Sequence, residues 1–283
     1  MTMLRHVFSV DVEEYFHVNA FEGIVQRDAW ESYPARAAAS VHEILDLLAR
    51  RGATGTFFTL GWLARRDPAL VRAIADAGHE IASHGHWHRR IPTLTPDAFR
   101  ADVRDAKAAL EDVTGTAVVG FRAPSFSIIP GFEWGFEILV EEGHTYDSSR
   151  FPIRRRGYGS PDAPLVPHTI ATPAGDLMEL PLATARFAGM RVPAAGGGYL
   201  RQFPFAVIRR AFQQATTAGV PAMFYIHPWE IDAEQPRIPV SLLTRVRHYR
   251  GLHKTLPLLD RLLMEFPFAS ALDAFPALRG AAV

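Results

Sequence analysis

Cysteine is absent from the 283-residue sequence. Disulfides and thiolate metal sites are therefore excluded, and any metal centre must be built from nitrogen and oxygen donors. Excess charge is absent as well. Lysine plus arginine and aspartate plus glutamate number 30 each, so nothing points to nucleic acid or anionic membrane bound through bulk charge. No window approaches the ~20 apolar residues of a membrane span. Met1 to Val10 carries only Arg5 and His6 before a short apolar run, without the length or small-residue cleavage site of a signal peptide. The expectation is a protein made in the cytoplasm, acting there or at the inner membrane face. There is no repeat of fixed period and no low-complexity tract.

What is present is apolar content of 48%, ample for a large core, and an alternation of strand and helix patterns. Leu4–Val10 reads as a first strand. Val41, Ile44, Leu45, Leu47 and Leu48 repeat at helical spacing within Ala35–Arg50, and Gly52 supplies a left-handed stop. Gly55–Leu60 reads as a strand. Pro68–Ala77 is a helix capped by Asp67. His79–Ser83 is a strand, Thr95–Val113 a long helix, Val118–Phe121 a strand, Phe132–Glu142 a helix and Thr145–Asp147 a short strand. Such a β-α series resolves as a parallel sheet with right-handed crossovers, open or closed into a barrel, with the chemistry at the C-terminal strand ends. From Arg150 to Gly198 the alternation stops. Thr169–Leu180 looks like a hairpin and Gly196-Gly197-Gly198 like a flexible or tight turn. Phe205–Ala218 is helical, Pro221–His227 is a final strand, and Ser241–Phe266 holds one or two amphipathic helices. Residues 1–283 read as one domain, with a core of about 4–232 and a C-terminal helical extension of about 233–283.

The candidate chemistry sits at the strand ends. Ser83-His84-Gly85-His86-Trp87-His88 offers three imidazoles, and Gly85 permits a turn that brings His84 and His88 together as metal ligands with His86 as bystander. Asp11 and Glu13 lie two apart on an extended chain and share one side. One can bind a cation while the other takes a proton from water, and Glu14 competes as a ligand. Arg122, before the rigid Ala123-Pro124 of Arg122-Ala123-Pro124-Ser125, either aims its guanidinium at a buried carboxylate or is a surface arginine beside a turn. Asp147 either orients a histidine or caps a turn. His227 is a candidate general acid, with Trp229 as an aromatic wall for a sugar face.

Five pieces therefore stand in order: Ser9-Val10-Asp11-Val12-Glu13, Ser83-His84-Gly85-His86-Trp87-His88, Arg122-Ala123-Pro124-Ser125, Tyr146-Asp147-Ser148-Ser149 and Tyr225-Ile226-His227-Pro228. Together they resemble the polysaccharide deacetylase family, the NodB-homology carbohydrate esterases, over Leu4 to about Asp232. The stretches Gly196–Arg201 and Tyr249–Thr255 are similar to the branch found with exopolysaccharide and exosortase loci. The resemblance implies a distorted (β/α) barrel with fewer than eight repeats. It implies a divalent cation, usually Zn2+, on Glu13, His84 and His88, with Asp11 as catalytic base and His227 as catalytic acid. Arg122 and Asp147 support those two, and a backbone N–H near Ser125 faces the oxyanion. The chain departs from the family's adjacent aspartate pair, since Val12 follows Asp11 and a glutamate stands at position 13. The implied activity is hydrolysis of acetyl groups from N-acetylated sugars of a polysaccharide. The alternatives are an allantoinase-like cyclic amide hydrolase on the same scaffold and a carbohydrate-binding member without catalysis.

Overall fold

The computed structural model describes residues 4–155 and 158–281. Its first strand, β1 (His6–Val12), is buried over its whole length. Phe8, Val10 and Val12 alternate with Ser9 and Asp11, so one face joins the apolar core and the other carries polar groups. There follow α1 (Ala37–Arg51), β2 (Thr56–Thr59), α2 (Gly61–Arg66), α3 (Pro68–Asp76), β3 (Glu80–Ser83), α4 (Pro96–Thr114), β4 (Gly120–Phe121), α5 (Trp134–Glu141) and β5 (Tyr146–Asp147).

The helix ends follow their local chemistry. Gly52 takes φ 59° after α1 and Gly115 φ 65° after α4. The Asp67 side chain accepts from Leu70 N at 3.1 Å at the start of α3, and Thr95 Oγ1 accepts from Ala98 N at 3.2 Å at the start of α4. Helix α4 then buries Phe99, Val103, Ala106 and Leu110. Each large side chain contributes roughly 1.5–3 kcal/mol of transfer free energy.

The second half is less regular. β6 (His168–Thr172) and β7 (Gly175–Glu179) form the expected antiparallel hairpin. β8 (Thr184–Phe187) and β9 (Met190–Pro193) make a separate two-stranded sheet. The three glycines do not form a free turn: Gly197 opens α6 (Gly197–Gln202), which leads to α7 (Phe205–Ala218) and β10 (Met223–Ile226). The chain closes with α8 (Leu242–Tyr249), α9 (Thr255–Glu265), β11 (Phe268–Ala269) and α10 (Ala271–Ala274).

The main sheet runs β10-β1-β2-β3-β4-β5-β7-β6, with β11 beside β1, and is parallel except for the β6–β7 pair. This is an α/β fold with a central mixed sheet flanked by helices, consistent with a distorted, barrel-like core. Among the described residues no ladder joins the outer strands β6 and β10. One parallel bridge, Leu182 to Met223, links the chain after β7 to β10.

The segment after residue 232 is woven into this sheet. β11 pairs with His6 and Val7 of β1, below the point where β2 begins its own pairing at Ser9. Leu259, Leu262 and Leu263 of α9 lie in the main core. The N–H groups of Ala271 and Leu272 donate to Thr56 Oγ1 (2.7 Å) and Glu80 Oε2 (3.0 Å).

Candidate metal centre and catalytic cleft

Every motif named above lies at the C-terminal end of a parallel strand, where the sheet brings distant residues side by side. Asp11 pairs in register with Phe58 of β2, and Thr59 of β2 with Ser83 of β3. The ends of β1 and β3 are thus separated only by β2. Glu13, His84 and His88 converge there, with one donor atom from each lying within 4.8 Å of the others, and all three are buried.

The ring of His84 has its Nδ1–H donating to the Arg122 carbonyl at 2.8 Å, which leaves the Nε2 lone pair for a ligand. His88 Nε2 lies 2.7 Å from Glu13 Oε2. Glu13 Oε2 has no other polar partner. Two buried ligand atoms converging at this distance fit a shared cation, and an N,N,O donor set suits a divalent ion. Burial depresses His84 to about 4, against the pull of Asp11, so its ring is neutral and able to ligate. Burial would raise Glu13, but His88 beside it holds its carboxyl well below the usual range. Glu13 Oε1 accepts from Trp229 Nε1 at 3.0 Å. The extra methylene of glutamate therefore does not prevent position 13 from reaching the cluster.

The histidine loop has a built support. Gly85 takes φ 75°, and a Cβ there would lie 2.8 Å from Asp102 Oδ2. The buried Asp102 of α4 accepts from His86 N (2.7 Å) and Trp87 N (3.1 Å). His88 itself takes φ 48°, a left-handed conformation that costs a non-glycine residue about 1–2 kcal/mol. His86 is not among the three converging residues. Glu14 also stays outside the cluster. Its carboxylate accepts from Arg36 N (3.0 and 2.9 Å) and Ala37 N (3.1 Å) at the N-terminus of α1, where the helix dipole favours an anion.

Arg122 is fully buried and points at Asp11, Nη1 to Oδ1 at 2.5 Å. Its other donors are taken by Ser9 Oγ (2.9 Å), the Ser148 carbonyl (3.2 Å) and Ser148 Oγ (3.0 Å). A buried guanidinium is tolerable only with such a set, because desolvation costs several kcal/mol per ion. Asp11 Oδ2 faces His227 Nε2 at 3.9 Å, too far for a hydrogen bond. Glu13 Oε1 stands 3.8 Å from the same nitrogen.

The expected pairing of Asp147 with His227 is not found. Asp147 is bonded by Ser149 Oγ (2.6 Å) and Ser149 N (2.9 Å). Burial raises its carboxyl and that of the buried Glu179. The carboxylate beside His227 is Glu230, Oε2 to Nδ1 at 3.2 Å, and Glu230 is itself ion-paired with Arg201. Burial would depress His227, but the hydrogen bond it donates to Glu230 and the charges of Glu13, Glu230 and Asp11 hold it at about 9. Neither Glu230 nor Asp102 stands out in the sequence. The one weak signal for Glu230 is an acid three residues after a strand-end histidine.

These groups open into a cleft of roughly 440 Å³, lined by Asp11, Glu13, His88, Ser125, His227 and Trp229 among others, within the usual size range for small-molecule sites. Ser125 sits on the rim with φ 56°. The indole of Trp229 is 9% exposed, sandwiched between His227 (4.8 Å) and His248 (4.3 Å). It therefore shows the cleft little of its face while its N–H holds Glu13.

Comparison with known proteins gives two family matches. Residues 29–129 match the polysaccharide deacetylase family, and residues 148–275 match a domain of unknown function. Over 73 residues the chain is 30% identical to the peptidoglycan-N-acetylmuramic acid deacetylase PdaA of Bacillus subtilis, a match covering 26% of this chain and 28% of that protein. The chain spans well under half the length of the curated relatives it matches. Among solved structures, a candidate polysaccharide deacetylase from Mycobacterium smegmatis superposes with TM-score 0.63 at 21% identity, covering 99% of this chain and 92% of the other. The Puue allantoinase superposes with TM-score 0.62 at 19% identity, covering 95% and 88%. At these identities the superpositions establish a shared fold.

Proposed function

We propose that the chain is a member of the polysaccharide deacetylase family, whose model its residues 29–129 match, and a divalent-metal-dependent hydrolase that removes acetyl groups from N-acetylated sugars of a polysaccharide. Zinc is the proposed ion and an exopolysaccharide under assembly the proposed polymer. The single observation that carries the reading is the convergence of Glu13, His84 and His88 beside an acid–base pair, Asp11 and His227.

Glu13, His84 and His88 would hold the ion, which supplies Lewis-acid polarisation of the acyl oxygen and acidification of water when bound. Asp11, its Oδ1 fixed by Arg122, presents Oδ2 as the base that takes the proton of the attacking water. The water oxygen joins the carbonyl carbon, and the C–N bond breaks. His227 carries a proton on Nε2 and delivers it to the departing amine, while Glu230 keeps Nδ1 occupied. The products are acetate and a free amino sugar. Ser125, on the rim with a left-handed backbone, is proposed to offer its N–H to the developing oxyanion.

The test is acetate release from a panel of N-acetylated oligosaccharides, with and without chelator, and with allantoin in the same panel. His84→Ala and His88→Ala are expected to lose both bound metal and acetate release, by at least ~100-fold. Full acetate release from a metal-free His84→Ala variant would overturn the mechanism. Turnover of allantoin alone would move the activity to cyclic amides. Bound metal and glycan with no turnover would favour the non-catalytic alternative.

A further inference from the structure

The chain is neutral overall, yet its charge is not evenly spread. From Gln235 to Leu259 there is no acidic residue, while Arg237, Arg245, Arg247, Arg250 and Lys254 contribute five cations. All five are exposed, and among the described residues none has an ion-pair partner. The same stretch holds α8, whose Leu242, Leu243 and Val246 are 75%, 60% and 43% exposed. Val246 lies four residues after Leu242 and three after Leu243, so the three share one helical face. Eight large apolar side chains are exposed among the described residues, and three of them stand on these two turns.

The buried side of α8 is already committed. His248 stacks on Trp229 at 4.3 Å and bonds to Gln235 at 2.8 Å. Arg201 Nη2 donates to the His248 carbonyl at 3.0 Å. The helix is thus anchored to the wall of the cleft and presents only its Leu-Leu-Val face and its arginines outward. A polymer of N-acetylated sugars offers the cations no anion and leaves the leucines in water. A surface with an anionic layer over an apolar one satisfies both.

We propose that the outward face of α8, with the cations of residues 237–254 around it, docks this protein on an anionic lipid bilayer and brings the rim of the cleft to that surface. The cation set supplies attraction, and the two leucines supply shallow insertion. This rests on charge and exposure rather than on turnover, so it can fail while the deacetylase reading holds.

The test is sedimentation of the full chain with phosphatidylcholine vesicles and with vesicles in which about a third of the lipid is phosphatidylglycerol. Binding is expected only to the second kind, and it should weaken at about 0.5 M salt. Leu242→Asp combined with Leu243→Asp should reduce binding at least ~10-fold without shifting thermal unfolding. Arg245→Ala combined with Arg250→Ala should reduce it while leaving the leucines in place. Equal binding to both vesicles, or binding to neither, would overturn the proposal. So would a concentration-dependent dimer in light scattering that the Leu242→Asp/Leu243→Asp variant abolishes, since α8 would then be covered by a second copy.

Discussion

His227 has one ring nitrogen committed to Glu230 and the other turned to the Asp11 and Glu13 carboxylates, which is what its proposed role demands. A general acid works only while protonated, so activity is retained below its pKa and lost above it. With His227 held at about 9, kcat/KM should be maintained through neutral pH and fall above about pH 9. Glu230→Gln removes the charge that stabilises the imidazolium, and the alkaline limb should move to lower pH. A pH–rate profile of both proteins checks this, and an unmoved limb would dissociate Glu230 from the acid. Asp11, Glu13, His84 and His88 were legible in the sequence because chemistry and spacing coincide: two acids two apart and two imidazoles across a glycine. Glu230 was not legible, because only the fold brings Arg201 to its far oxygen and makes it a buried anion rather than a loop acid.

At the scale of the element, the histidine loop is fastened to α4 by one carboxylate. Asp102→Ala strands the N–H groups of His86 and Trp87, each costing about 1–3 kcal/mol when left unsatisfied. Metal affinity should fall ~10–100-fold with a lowered melting temperature, read by metal titration and thermal unfolding. Unchanged metal affinity would show that the loop holds its shape alone. The helices were readable from periodicity and caps, and so was the strand run of the first half. After Arg150 the hairpin, the Phe205–Ala218 helix, the last strand before His227 and the C-terminal helices were readable too, but β8, β9 and α6 were not. β8 and β9 carry arginine and proline among few apolar residues and pair only with each other. α2 has two adjacent arginines in six residues. Gly196-Gly197-Gly198 reads as a turn, but its first two glycines are required by crowding. A Cβ at Gly196 would lie 2.6 Å from the Tyr225 ring, and one at Gly197 would meet the Glu230 carboxylate. No local pattern announces neighbours brought in from β10.

For the molecule as a whole, buried neutral histidines set a pH window for stability. Burial depresses His144 to about 3, whereas in the unfolded chain it titrates near the ordinary ~6.5. Its contribution is complete above that unfolded value and is lost as the pH falls towards the folded one, because the unfolded state then binds the extra proton. Between pH 7 and pH 5 this single ring accounts for about 2 kcal/mol of lost stability. His144→Phe should therefore show a shallower decline over that window than the unaltered protein, measured by urea unfolding at each pH. Equal slopes would mean that the ring is hydrated or already charged. One feature of the sheet also bears on how the chain reaches this state. β1 is flanked by β10 on one edge and by β2 and β11 on the other, so the first strand made waits for partners some 215 to 260 positions later. During synthesis its backbone donors and its carboxylates are present long before the strand that completes them. Such distant closure makes assembly slow and leaves an early apolar ribbon for chaperones to shield.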